Sequence, residues 1–585
     1  MDNEKRVILA FGLSFAILLL WRVYLAPKAP PPSTPTKAPS VETQPPPSQT
    51  EAPKAPAPPP AAAPRLPRPV AIPVQQGTQA EEIVVEGKVS RVTLSTEGAV
   101  IKSWVLKDYQ DQKGHPLDLI QSAACEQLGF PLSLRLADAE MSKKLNSAIF
   151  VAQPAGRTLR TPAKLELVYS DGEIQARKQF EFGPAYDVRV EASVSDGERF
   201  VPFEVTWPGG FGDYSVDAGM AAGMERAFYQ IEGTTKVHEE HLTPSITSRV
   251  GSWFSGSPQQ ADPMEQKIPS PVTFAGLADR YFVDVFLPTS PDASFTLRRR
   301  PWTPPDWKGK EEDRPKPLML SLSAPQPKPL AFRLFVAPRD LEVLRASNPP
   351  LDQLVDYGWF SFVARPLFLV LRYIYDHWIH NYGWAIIFLT IVITMAFLPL
   401  KLKQIRSAQG MQRVAPIIKG IQDKYKQYKF NDPRKQRMQQ EIMKIYKEHN
   451  INPLGGCLPM LLQLPFLYGF YMVLYVSIEL RHAPWFAWVK DLSAPDPYYI
   501  LPIVMTVSMF FMQKMTPMTV ADPAQQRMMM IMPIVFGFIS LNFASGLVLY
   551  WMTSNLVGIG QQVFINRMTP PQPPPAARKA AEKEE

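Results

Sequence analysis

Lys401 to Lys447 reads KLKQIRSAQGMQRVAPIIKGIQDKYKQYKFNDPRKQRMQQEIMKIYK, thirteen Lys and Arg set between two hydrophobic runs. Asp423, Asp432 and Glu441, with Glu448 just beyond, are the acidic residues that oppose them. A loop of this length beside membrane spans stays cytoplasmic when Lys and Arg dominate, so the segment orients everything around it. Apolar residues recur at helical spacing within it: Ile405, Met411, Ile418, Ile421 and Tyr425, then Met438, Ile442, Ile445 and Tyr446. Between the two sets, Asp432 suits a helix cap and Pro433 a first helical turn. We expect a cytoplasmic helical hairpin over 401–449. Its outer faces carry Lys401, Lys403, Arg406, Arg413, Lys419, Lys424, Arg434, Lys435 and Arg437. The plainer alternative is that these charges only keep a loop soluble and inside.

Working outward, runs free of Asp, Glu, Lys and Arg lie at 383–400, 457–478, 498–513, 528–543 and 546–565. The last two meet at Ala544-Ser545-Gly546, a tight hairpin by composition. A further run, Val7 to Leu25, has Lys5 and Arg6 before it and Trp21, Arg22 and Tyr24 at its far end. It reads as a retained anchor (1–25). The rival is a cleaved signal peptide, but the run is longer than a usual signal core and lacks a small-x-small cleavage site. Six spans place both termini inside, and Lys514, Arg527 and Arg567 then fall on the cytoplasmic side as well. Five of them, with the hairpin, form a unit at 383–565, followed by a tail at 566–585.

From Pro27 to Pro73, eighteen of 47 residues are Pro. This stretch, within a linker at 26–80, cannot bury a core and serves as an extended spacer. Beyond it, 81–345 alternates apolar and polar residues in short runs such as Val89–Ser95 and Tyr186–Ala192, punctuated by Gly and Pro. That pattern predicts an all-β sandwich of many strands, large enough for a sizeable core. No span separates Leu25 from Gly383, so this domain lies across the membrane from the basic hairpin. The connector at 346–382 includes Trp359–Trp378, where Arg365, Arg372 and Asp376 interrupt the apolar residues. An amphipathic interfacial helix fits it better than a span.

The net charge of +8 is concentrated in one loop beside the membrane, which points to anionic lipid or ribosomal RNA rather than DNA. Cys125 and Cys457 fall in different regions, so no disulfide is expected. No Gly-rich phosphate loop followed by Lys-Ser/Thr is present, so ATP hydrolysis has no visible site. His238-Glu-Glu-His241 has the wrong spacing for two zinc ligands one helical turn apart and reads as a polar loop. Ser545-Gly546 has no His in any expected span to act as a base, which sets a serine protease aside. No catalytic residue, metal or cofactor is expected. The spans instead hold uncharged polar residues: Thr390 and Thr394 four apart, Gln463, then Asn542, Tyr550, Thr553, Ser554 and Asn555. Each alone suits a helix–helix hydrogen bond, and together they suit a shared hydrated cavity. A solute transporter and a membrane-anchored sugar-binding module are the alternatives. Neither inverted repeats of broken spans nor an acid/base His-carboxylate set is visible to support them.

Four motifs in order, Asn452-Pro-Leu-Gly-Gly-Cys-Leu-Pro459, Asp496-Pro-Tyr-Tyr-Ile-Leu-Pro502, Phe510-Phe-Met-Gln-Lys-Met515 and Ser545-Gly-Leu-Val-Leu-Tyr550, resemble the YidC family of bacterial membrane protein insertases. The resemblance covers Trp359 to Arg567. The large exported domain is similar to the Gram-negative form, whose β-supersandwich is similar to sugar-epimerase folds. The resemblance implies an insertase and folding chaperone of the inner membrane, acting on nascent membrane proteins, alone or with the Sec translocon. It implies a hydrophilic groove, open to cytoplasm and lipid and closed outside, that works without ATP. Thr390, Thr394, Gln463, Tyr550, Trp551 and Asn555 are the candidate groove residues. Many members carry a groove Arg on the second span, where this chain has Thr394. The basic hairpin is implied to receive substrate. Ribosome contact is expected to be weak, because the tail ends in the mixed sequence Arg578-Lys-Ala-Ala-Glu-Lys-Glu-Glu585.

Overall fold

In a computed structural model of the chain, the alternating stretch between Glu82 and Pro338 forms three β-sheets, of ten, five and five strands. The structure describes residues 72–568 except 198, 216–224, 242–264, 306, 310, 312–313, 429–431, 450, 452–457 and 516–522, and omits the side chains of 241, 406, 408, 412, 458–463, 523–528 and 568. The expected anchor Val7–Leu25, nearly all of the Pro-rich linker, the tail after Met568 and most of the Asn452–Pro459 motif lie outside the described residues. The chain divides into two units. One comprises Met1–Arg68 with Val520–Met530, of which 523–530 are described as helix, and the other Pro69–Thr519 with Ile531–Glu585.

The period-two pattern decides which side chains each strand buries. Strand Asp187–Asp196 turns Val188, Val190, Ala192 and Val194 inward and Arg189 and Glu191 outward. It pairs antiparallel with Ile174–Phe182 on one side and Leu330–Pro338 on the other. Trp104, Phe180, Trp207, Phe286, Phe295 and Phe332, drawn from all three sheets, share one core. Strand Phe282–Pro288 is buried on both faces. Phe282 and Phe286 enter that core, while Val283 and Val285 pack with Phe335, Ala337, Leu344 and the connector residues Leu351 and Leu354.

Several inward positions break the apolar rule, among them Asp284 and Lys178. Lys178 is fully buried, and its Nζ donates to the carbonyls of Gly98 (2.8 Å), Ala99 (2.9 Å) and Leu132 (2.7 Å). Burial pulls its pKa down to about 7, against the pull of three acceptors that favour the ammonium. The His238–His241 stretch lies on a strand, Val237–His241, rather than in the expected loop, and the His238 ring stacks on Tyr229 at 5.1 Å. Among the described residues no His, Cys, Asp and Glu cluster could hold a metal. Cys125 is a buried free thiol.

Glu225 supplies a pH signature. Its Oε1 accepts the Phe211 N–H at 2.9 Å and its Oε2 that of Leu318 at 3.0 Å, yet burial pushes the carboxyl up to about 7. Between its ordinary value of 4.5 and about 7 the folded chain holds a proton that the unfolded chain has released. The stabilisation is therefore complete below pH ~4.5 and lost as pH rises through ~7. Acidifying from pH 7.5 to 5 should raise β-domain stability by about 2 kcal/mol through this group. Glu225→Gln should remove that increment, as read from thermal unfolding of the full-length chain at both pH values.

Eight α-helices follow from residue 361, the first inside the connector: α1 (Ser361–His377), α2 (Tyr382–Ala396), α3 (Leu398–Lys424), α4 (Pro433–Glu448), α5 (Leu458–Val476), α6 (Ile500–Met515), α7 (Pro523–Ser540) and α8 (Ser545–Met568). Helix α1 is amphipathic. Ala364, Leu367, Phe368, Leu371 and Ile374 face inward, Phe362, Leu369, Val370 and Tyr373 are exposed, and Arg365 pairs with Asp352 of the connector and Arg372 with Glu342 just before it. It packs along α5, while α8 packs between α2 and α6. Asp432 caps α4, accepting the Arg434 N–H, with Pro433 at the first turn. Helices α3 and α4 form the expected hairpin around Val414, Ile418 and Ile442. No single described helix is long and apolar enough to cross a membrane, but α2 with the first part of α3 passes as a pair bent by 53°. The break falls at Phe397, just before Pro399, so the run read as one span to residue 400 is divided.

Candidate functional site

Polar side chains between α2, the start of α3 and α8 build a connected seam. Thr390 is fully buried, and its Oγ1 donates to the Ile386 carbonyl at 2.6 Å. Thr394 repeats the arrangement one turn on, donating to the Thr390 carbonyl at 2.6 Å. Both hydroxyl protons are therefore spent inside α2, leaving only acceptor capacity toward any guest. The Thr394 carbonyl accepts from Gln561 Nε2 of α8 at 3.1 Å. Gln561 Oε1 in turn accepts from Lys401 Nζ at 3.0 Å, and the same ammonium reaches the Gly558 carbonyl at 3.3 Å. The bend at Phe397 swings the start of α3 toward α8 and makes this reach possible.

Lys401 thus has a different place from the rest of the basic set. It is partly buried against α8, whereas Lys403, Arg413, Lys419, Lys424, Arg434 and Arg437 are exposed and Lys435 is half-buried. Arg434 pairs with Asp432 and lies 3.8 Å over the Tyr428 ring. The Arg406 side chain lies outside the described residues. The partners recorded for Lys401 are neutral oxygens, which leave the ammonium charge uncompensated by them and a third donor to spare.

The other expected groove residues are distributed around this seam. Tyr550 is buried with its ring 4.6 Å from Phe470, and Trp551 sits in an aromatic group with Phe536 (4.8 Å) and Phe543 (5.6 Å). Asn555 faces α6, where its Nδ2 lies 3.4 Å from Ser508 Oγ. Gln463 is on α5, with its side chain outside the described residues. Gln561 and Gln562 were not among the expected residues. Gln562 is fully buried and bonds Asn566 at 2.9 Å, and its Oε1 has no partner. The signal is two consecutive amides in the same run as Thr553, Ser554 and Asn555, two turns further along α8.

The outer ends of α2 and α8 are covered by the loop between α5 and α6. Ser545 and Gly546 donate backbone N–H groups to the carbonyls of Ala494 (2.7 Å) and Leu492 (2.8 Å). Glu479, just beyond α5, is pushed up to about 7 by burial, with the Arg372 guanidinium opposing the shift.

A family model described as 60Kd inner membrane protein matches residues 374–572, and one described as YidC periplasmic domain matches 82–370. A relative named membrane protein insertase YidC, from Syntrophus aciditrophicus (strain SB), is 31% identical over 585 aligned residues, covering 96% of this chain and 99% of its own. Another of that name, from Geotalea daltonii, is 34% identical and covers 86% of this chain and 89% of its own. A crystal structure of an active YidC insertase with its first transmembrane domain resolved is 18% identical, with a TM-score of 0.33 over 84% of this chain and 94% of that one.

Proposed function

The chain belongs to the YidC family of membrane protein insertases, and on that premise we propose that substrate tails cross along the α2–α3–α8 seam. The protein is an inner-membrane insertase with a periplasmic β domain, and its substrates are membrane proteins. In this reading six spans place both termini in the cytoplasm, and the α3–α4 hairpin meets the arriving chain with its exposed Lys and Arg. Folding assistance, docking beside the Sec translocon, weak ribosome contact and attraction to anionic lipid belong to the same reading. The hairpin's basic face is its support for the last two.

The carrying observation is the chain of polar groups Thr394–Gln561–Lys401–Gly558, which runs between helices without a carboxylate among its recorded bonds. Energetics make such a path sufficient without nucleotide hydrolysis. A substrate span of ~20 apolar residues gains roughly 10 kcal/mol on entering lipid, while each charge at the bilayer centre costs about 3. Three or four tail charges would consume that gain if they crossed dry. A polar, hydrated seam shortens the dry path, and the substrate's own partitioning supplies the drive.

Replacing Thr390, Thr394 and Gln463 together with Leu tests the outer part of this path. Insertion of a single-span protein should slow about tenfold, the loss of roughly half the relief of one buried charge. An unchanged rate would remove these three from the path.

A further inference from the structure

The loop 477–499 between α5 and α6 contacts the start of α2, the first turn of α8 and the β domain. It is tied internally by backbone bonds from Trp485 to Val489 and from Leu492 to Ala483. Toward the helices, Asn381 Nδ2 donates to the carbonyls of Pro484 and Trp485, both at 3.1 Å. Trp485 lies so close to Gly383 that a Cβ there would sit 2.2 Å from its ring, which requires glycine at the start of α2. Leu492 and Ala494 hold the first turn of α8 through Gly546 and Ser545.

The same loop carries the β domain. Arg481 Nη2 meets Asp213 Oδ2 at 2.6 Å, with the two side chains only 4% and 5% exposed. The Arg481 guanidinium also lies 5.5 Å from the Phe282 ring, and Ile478 enters the β-domain core. His482 Nε2 is 3.1 Å from the Gln110 carbonyl. From the other side, Arg280 of the β domain donates through Nε to the Tyr475 carbonyl of α5 at 2.6 Å and stacks 4.2 Å over that residue's ring.

This joint is incompletely packed. A cavity of about 320 Å³ lies within it, bordered by Asp213, Arg280, Tyr281, Tyr475, Arg481 and Asn542. Arg280 Nη2 and Arg481 Nη1, on two of the residues that border it, are buried without a hydrogen-bond partner. Orphaned donors and a void weaken the apposition, so its directional hold rests on a few bonds: the Arg280–Tyr475 and His482–Gln110 contacts and the buried ion pair, the only one of the three between two charged side chains. Taking one partner from such a pair strands a charge, whereas neutralising both partners costs far less.

We propose that Arg481 is a positioning residue: its bond to Asp213 seats the β domain on the 477–499 loop and thereby fixes the outer ends of α2 and α8. The seating of the β domain and the spacing of the two helices that carry Thr394, Lys401 and Gln561 are then one coupled equilibrium. This inference rests on the reading that these helices perform insertion.

Three full-length variants test it: Asp213→Asn, Arg481→Gln and the two combined. Each single variant should speed amide exchange at Leu492, Ser545 and Gly546 by on the order of tenfold or more. Each should also slow insertion about tenfold. The double variant should be no more impaired than either single variant in both measurements, because the bond is already lost in each and no stranded charge remains. The proposal is overturned if exchange changes only beside residues 213 and 481 while insertion keeps its speed, or if the double variant is as impaired as the sum of the singles. A parent chain that inserted nothing would count against the insertion reading alone, and the exchange data would still decide the joint.

Discussion

Lys401→Met combined with Gln561→Leu should slow insertion of a single-span substrate with a translocated tail carrying one or two carboxylates by about 100-fold, the equivalent of roughly 3 kcal/mol for one charge made to cross dry. Lys401 Nζ holds two neutral oxygens on α8 and keeps a third N–H free, and Gln561 fixes it there while gripping the Thr394 carbonyl. Removing both replaces a charged, hydrogen-bonded point between helices with an apolar plug. A tail without charge should lose less than about threefold, since it gains little from the ammonium. Initial rates of tail protection for the paired substrates decide the matter. Equal losses for both tails would mean that the variant merely damages helix packing, and no loss for the acidic tail would remove Lys401 from the path.

Lys178→Met should destabilise the β domain by roughly 3 kcal/mol or more, because a side chain of similar volume fills the space but leaves the carbonyls of Gly98, Ala99 and Leu132 without their donor. For a domain of this size that corresponds to a fall in Tm of about 10 °C. The loss should appear in the β-domain transition of the full-length chain, and insertion at 25 °C should persist. A variant as stable as the parent would mean that water satisfies those carbonyls. Deletion of 81–345 carries the same logic further. It exposes Arg481 to water instead of stranding it, so insertion should continue within about tenfold of the parent. Abolition of insertion by that deletion, with the helical unit still folded, would move an essential step into the β domain.

These two lysines mark where the sequence stops being readable. The alternation at Tyr186–Ala192 suffices to place a strand, because burying one face of a sheet demands period two, and the strand Asp187–Asp196 follows that pattern. Asp432-Pro433 marks the start of α4 because capping is local chemistry. Lys178 has no such local mark. Its burial depends on carbonyls contributed by residues 46 to 80 positions away, which no window on the strand contains. Lys401 reads as the first charge of a soluble loop, and only the bend at Phe397 carries it against α8. Thr390 and Thr394 are legible as two polar residues on one helix face, but the inward direction of their hydroxyls depends on backbone geometry. Arg481 and Asp213 stand 268 residues apart, and nothing in either neighbourhood announces the other.

The central claim is that this chain alone moves a polar tail across a bilayer. Purified full-length protein in liposomes, given a single-span protein with a short polar tail and no ATP or other protein, provides the direct measurement. Tail protection from external protease should stand well above that of empty liposomes. Protection no greater than in empty liposomes, with the protein shown folded and correctly oriented, would contradict that claim.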